Sequence, residues 1–309
     1  MKISVVTPFY NESEAISVYF EAVTKVLETL DDYEIVCVDD GSTDTTLNQL
    51  IEVRESNPKV RVVELSRNFG KEAALTAGLE HSDGDCTIIL DADLQDPTEL
   101  IPSMIERWKE GADVVIGRRS ERTSDSFLKR FTARGFYRVF NYFADDPIPE
   151  DAGDFRLLDR KVLEVINLLK EKNRFMKGLL SWPGFDVAFV EYERPERAAG
   201  ETKWNYSKLF GLALDGIVAF STLPLRLAFI LGLGSSAFAL AYAIFLIIRT
   251  TVQGIDLPGY ASIMVVSLTF SGLILICLGV IGEYLGRIYI EVKQRPIFVV
   301  KKVHETEKE

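Results

Sequence analysis

The chain has 309 residues, 47% hydrophobic and 26% charged, so it can bury a core and is not intrinsically disordered. Its 35 basic against 46 acidic residues give a net charge of −11, the opposite of the balance with which proteins grip nucleic acid. Cys37, Cys86 and Cys277 each sit in or beside an apolar run and read as core residues, not as a disulfide framework or zinc site; with only His81 and His304, histidine-based catalysis has little room.

Met1-Lys2 leads straight into Ile3–Val6, a run too short for a signal-peptide core, so the N-terminal part is expected to stay in the cytosol. Ile3–Val6, Ile35–Val38, Val60–Leu65, Thr87–Leu90 and Val114–Ile116 read as largely buried strands. Between them Glu12–Leu30, Thr45–Glu55 and Lys71–Glu80 carry helical spacing. This alternation predicts an α/β domain with a parallel, doubly wound sheet over residues 1–206.

Beyond about residue 215 the composition changes. Leu227–Ile248 is free of charge, as is the stretch between Asp256 and Glu283, densest from Ile263 to Ile281. At roughly 1.5 Å per residue each crosses a hydrocarbon core of about 30 Å. A pair of buried soluble helices is the alternative, but such helices seldom run about 20 residues without a charge. The predicted layout is an amphipathic interfacial segment over 207–226, two transmembrane helices with a short external loop over 227–285, and a cytosolic tail over 286–309 that frays from Lys301 onward. Lys203, Lys208 and Arg226 precede the first span, and Arg287, Lys293, Arg295, Lys301 and Lys302 follow the second. By the positive-inside tendency both termini and the head face the cytoplasm, which places the chain in the cell inner membrane as a multi-pass protein.

In open α/β sheets ligands collect at the carboxyl ends of strands, and there this chain is polar. Asp91 and Asp93 follow the fourth strand; at i, i+2 in extended chain both would point the same way and share a hard cation, Mg²⁺ or Mn²⁺, with the Gln95 carbonyl as a further oxygen. Asp39 and Asp40 read either as turn-formers or as acceptors for base N–H groups and ribose hydroxyls, and Asp44 as a helix cap. Arg118, Arg119, Arg197, Lys203 and Trp204 form a basic set that would hold diphosphate or a lipid phosphate, or else lie on anionic lipid. Asp151 and Asp154 are either surface caps or lie near a transferred group. No P-loop motif occurs, and Gly232-Leu233-Gly234-Ser235-Ser236-Ala237 falls inside the first span, where small-residue packing within or between subunits explains it better than dinucleotide binding.

In order and spacing, Thr7-Pro8-Phe9-Tyr10-Asn11-Glu12, Val38-Asp39-Asp40-Gly41-Ser42, Arg67-Asn68-Phe69-Gly70-Lys71 and Asp91-Ala92-Asp93-Leu94-Gln95-Asp96-Pro97 resemble family 2 glycosyltransferases of the GT-A fold. Asp154-Phe155-Arg156 and the run from Arg197 to Lys203-Trp204 narrow the resemblance to polyprenyl-phosphate hexose synthases, the group of bactoprenol glucosyltransferase and dolichol-phosphate mannose synthase; Thr202 stands where relatives often carry Ser. The resemblance implies a nucleotide-sugar donor, UDP-glucose favoured, and a polyprenyl phosphate acceptor. It implies that Pro8, Tyr10, Glu12, Asp39 and Asp40 line the nucleoside pocket and that Asp91, Asp93 and Gln95 hold the metal. Arg119, Arg197 and Lys203 would then contact phosphates, Lys71 would belong to the donor-binding set, and Asp154 would lie near the reacting sugar.

The expected reaction is inverting hexose transfer to undecaprenyl phosphate. Three rivals stand beside it: GDP-mannose as donor, a non-catalytic nucleotide-sugar sensor, and a transporter or polymer synthase, for which two spans are few.

Overall fold

The computed structural model describes residues 1–119, 152–172, 174, 176–192, 223–253 and 259–305. These fall into two units, one holding residues 1–192 and 295–305 and the other 223–294.

The first unit opens with β1 (Lys2–Phe9), α1 (Ile16–Leu27), β2 (Asp32–Asp39), α2 (Thr46–Ser56), β3 (Val60–Leu65), α3 (Lys71–Glu80) and β4 (Cys86–Ile89). There follow α4 (Ile101–Lys109), β5 (Val114–Arg119), β6 (Ala152–Asp159), α5 (Arg160–Leu168), a short α6 (Met176–Leu179) and β7 (Val187–Tyr192); β8 (Val300–His304) closes the unit. The sheet order is β7-β5-β6-β4-β1-β2-β3-β8. β1, β2, β3 and β4 are mutually parallel, as predicted, but the sheet as a whole is mixed: β6 runs antiparallel to β4 and β5, and β8 antiparallel to β3. β6, Ala-Gly-Asp-Phe-Arg-Leu-Leu-Asp, has no β-branched residue and falls in a stretch of loop composition, so neither the strand nor its reversed direction is read from the sequence.

Valines and isoleucines at the centre of the sheet, among them Ile3, Val5, Ile35, Val62 and Ile88, are fully buried. α1 covers one face with Ile16, Tyr19, Phe20, Val23 and Leu27, a stripe of helical period. The other face takes α3, whose residues from Ala73 to Leu79 are all buried. Its small side chains permit that approach: a Cβ on Gly78 would meet Val6 Cγ1 at 2.3 Å.

α1 begins at Ile16, four residues later than the predicted Glu12, because Asn11 turns the chain at φ 53° and the Glu12 N–H is taken by Thr46 Oγ1. The larger correction concerns the tail. Val300–His304 do not fray; they form the eighth strand, antiparallel to Val62–Leu65 with a register shift between Glu64 and Leu65, and Glu64 of β3 binds Lys301 at 2.5 Å and His304 at 3.2 Å. This strand covers what would otherwise be an open sheet edge.

The second unit consists of α7 (Leu223–Gln253) and α8 (Tyr260–Val292), both long and apolar enough to cross a membrane. Their large apolar side chains, such as Phe229, Leu240, Ile263 and Leu275, are exposed, unlike those of soluble core helices. α8 continues past the predicted end at 285 to Val292, carrying a Glu283–Arg287 pair at helical spacing. Gly232 and Ser235 of α7 line a groove beside Phe270 and Cys277 of α8, and a Cβ added at Gly232 or Gly234 would meet no atom within 4 Å.

Candidate active site

The strand order β4-β1-β2-β3 places the reversal of winding at β1, since the chain leaves β1 toward β2 and later returns to pair β4 on the other side. A crevice opens at the carboxyl ends of strands at such a point. Here it is a pocket of about 330 Å³ lined by Pro8 and Phe9 at the end of β1, Tyr10 and Glu12 after it, Asp40 after β2, Asn68, Gly70, Lys71 and Ala74 around the start of α3, and Asp91, Ala92 and Asp93 after β4.

Four loops are fastened to one another in sequence. Asn11 Oδ1 accepts the Thr43 N–H at 2.8 Å, and Ser42 Oγ accepts the Asn11 N–H at 3.1 Å, joining the loops after β1 and β2. The Asp40 carboxylate joins the second to the third by accepting the Phe69 N–H at 2.7 Å and the Gly70 N–H at 2.8 Å. These two loops touch so closely at Gly41, φ 67°, that a Cβ there would lie 2.4 Å from the Arg67 carbonyl carbon. Lys71 joins the third to the fourth: its Nζ donates to Asp91 Oδ2 and Asp154 Oδ2, each at 2.8 Å.

Electrostatically the pocket is acidic. Burial raises the Glu12 pKa, and the neighbouring charges of Asp93 and Asp44 raise it further. Burial also raises the pKa of Asp91, an effect that Lys71 opposes. For Lys71 burial works against the ammonium, but Asp154 and Asp91 outweigh it and the pKa rises. Lys71 is therefore charged at neutral pH, and the carboxylates around it still outnumber it.

Of the residues singled out in the sequence, Pro8, Tyr10, Glu12, Asp40, Lys71, Asp91 and Asp93 line this pocket, and Asp154 reaches it through Lys71. Asp91 and Asp93 meet there on a turn, with the Leu94 N–H facing the Asp91 carbonyl and Leu94 at φ 49°, and not on extended chain as expected. Asp39 lies beneath the pocket, fully buried, one oxygen accepting the Ser42 N–H and the other without a hydrogen-bond partner. Asp44 caps α2 through the Thr46 N–H. Gln95 lies outside the lining; its N–H donates to Asp93 Oδ1 at 3.2 Å. Arg118 is engaged elsewhere, with Glu191 at 2.5 Å and over the Phe189 ring. Arg119 ends β5 opposite Tyr192, its side chain lying outside the described residues, as do Asp151, Arg197, Lys203, Trp204 and the 207–221 segment. Sequence reasoning missed the lining role of Asn68 and Ala74, although both belong to the polar turn and helix start after β3.

The donor set suits a divalent ion. Asp91 Oδ1 is buried without a hydrogen-bond partner, a costly arrangement unless a cation completes it, and Asp93 opens into the same pocket. No three His, Cys, Asp or Glu side chains converge as a cage among the described residues, so such an ion would take its remaining oxygens from a bound phosphate or water, the habit of Mg²⁺.

The profile of glycosyl transferase family 2 matches residues 4–166, more than half of the chain. The chain belongs to that family. The mixed sheet described above is accordingly a GT-A-type fold, and the protein is an enzyme that transfers a glycosyl group. It is 50% identical to an uncharacterized glycosyltransferase of Synechocystis over 97% of this chain and 95% of the relative. A prophage-derived bactoprenol glucosyl transferase of Shigella flexneri is 48% identical, over 98% of this chain and 99% of that protein. An uncharacterized glycosyltransferase of Bacillus subtilis is 44% identical, over 98% and 94%. These matches run through the head and both apolar helices.

Proposed function

We propose that this enzyme transfers glucose, with inversion, from UDP-glucose to the phosphate of a polyprenyl phosphate at the cytoplasmic face of the membrane. The observation that carries the reading is the convergence of Lys71, Asp91, Asp93 and Asp154 at one switch-point pocket, in a chain alike over 98% of its length to a bactoprenol glucosyl transferase.

Pro8, Tyr10 and Asn68 would bracket the nucleoside, with Asp39 and the loop pinned by Asp40 shaping the floor. Asp91 and Asp93, with Gln95 close by, would hold Mg²⁺ or Mn²⁺. The ion supplies positive charge where the departing diphosphate gathers negative charge. Arg119, Arg197 and Lys203 would add to it. Asp154, held by Lys71, would orient the sugar. The nucleophile is a phosphate-monoester oxygen, whose second pKa of about 6 leaves it largely deprotonated at neutral pH, so no strong general base is needed.

The eighth strand supports the orientation. β8 lies in the same sheet as β1–β5, and two spans would return the chain after α8 to the side of the membrane that holds the head. The basic residues flanking both spans favour the cytoplasm for that side.

The test presents the purified full-length chain with undecaprenyl phosphate and labelled UDP-glucose, UDP-N-acetylglucosamine or GDP-mannose, with and without Mg²⁺. A glucosyl lipid formed only with UDP-glucose and metal is expected. Preference for GDP-mannose overturns the sugar assignment, and nucleotide binding without lipid product favours a sensor.

A further inference from the structure

Among the described residues lining the pocket, Lys71 is the one cation, and it is attached to a carboxylate assigned above to the divalent ion. Its ammonium bonds Asp91 Oδ2 at 2.8 Å while Asp91 Oδ1 is left buried and unpartnered. An ion taken by Asp91 and Asp93 therefore shares one carboxylate with a fixed positive charge. Two cations on one carboxylate repel each other, and in a partly desolvated pocket that repulsion is large. A diphosphate changes the balance, because its negative oxygens can lie between the two.

We propose that Lys71 couples metal binding to donor binding: it keeps the site's affinity for a free divalent ion low, and the diphosphate of the donor removes that penalty. Without nucleotide, Lys71 satisfies Asp91 and Asp154 and holds the two 2.8 Å contacts that keep the loop after β4 against β6. With nucleotide, ion and ammonium bind opposite sides of one anion. By linkage, whatever factor the nucleotide adds to metal affinity, the metal adds to nucleotide affinity. The enzyme then takes up ion and donor as a unit, and a pocket rich in carboxylates is not filled by stray cations. This inference rests on the metal reading of Asp91 and Asp93.

The test measures Mn²⁺ binding to the full-length chain by electron paramagnetic resonance of the free ion, with and without UDP. In the wild-type chain UDP should tighten Mn²⁺ binding strongly. In Lys71→Gln, and in Lys71→Met as a second neutral variant, Mn²⁺ alone should bind about tenfold tighter and the tightening by UDP should shrink by a like factor. Lys71→Arg keeps the charge and should keep the wild-type coupling. Mn²⁺ affinity unchanged or weakened in a folded neutral variant overturns the inference. Asp91→Asn separates the two levels. If it loses Mn²⁺ binding while the Lys71 variants behave as wild type, only the coupling role falls; if it binds Mn²⁺ as wild type does, the metal reading falls and the coupling role with it.

Discussion

Asp40 is the residue through which the loops after β2 and β3 are tied, and its removal has a calculable cost. Its side chain is almost wholly buried and accepts two backbone N–H groups, at 2.7 and 2.8 Å. Hydrogen bonds to a charged partner contribute about 1.5–3 kcal/mol each. Burial raises the Asp40 pKa despite the N–H bonds from Phe69 and Gly70, so keeping the charge there is itself costly and the lower end applies. Asp40→Ala should therefore lose about 3 kcal/mol, roughly a hundredfold in the folding equilibrium. Asp40→Asn, which retains one acceptor, should lose about half of that. Urea unfolding of the detergent-solubilised chain reads this out through the fluorescence of Trp108, which is packed in the head beside Asp159. UDP affinity should fall further than the stability loss alone explains, because the freed segment carries Asn68 and Lys71. A loss under about 1 kcal/mol with unchanged UDP binding would refute the view that this carboxylate builds the pocket.

Gly41→Ala should fail to fold or lose more than about 3 kcal/mol, since the new Cβ would collide with the backbone of Arg67 and Asn68. Gly111→Ala is its control, also at positive φ but with no atom within 4 Å of the added Cβ, and should lose about 1–3 kcal/mol, from backbone strain alone, in the same denaturation assay. The Glu64 cluster predicts a pH dependence. Burial alone would raise the Glu64 pKa, but Lys301 and His304 outweigh it and hold the carboxyl below its ordinary value of 4.5. A pKa lower folded than unfolded contributes stability that is full above 4.5 and lost as pH falls through the folded value. The wild-type head should thus lose stability in acid more steeply than Glu64→Gln, and parallel melting curves against pH would contradict the pairing.

Much of this was legible in the sequence, for local reasons. Lys71–Glu80 and Val60–Leu65 are read to the residue because each is bounded by polar turn residues, the strand as a short β-branched run and the helix as a run of strong helix formers. The pocket residues were legible because they follow strands, and ligands gather there whatever the topology. What escaped depends on contacts distant in the chain. Val300–His304 is a strand only because β3 offers an edge more than 200 residues away, as the separation of 237 between Lys301 and Glu64 records; alone it reads as a charged tail. Asp40 reads as a nucleoside ligand or a turn-former, and its bonds to the Phe69 and Gly70 N–H groups, which tie two loops together, are not legible from its own segment. Asp154 reads from the sequence as either a surface cap or a residue near the site, because the contact that ties it to Lys71 spans 83 residues.

The central claim, that Asp91 and Asp93 present a divalent ion to the diphosphate of the donor, is tested most directly by anomalous diffraction from crystals of the full chain grown with Mn²⁺ and UDP. A manganese peak within coordination distance of Asp91 or Asp93 and of the UDP phosphates is predicted. Bound UDP with no peak there, or with manganese only at sites remote from both aspartates, would contradict it.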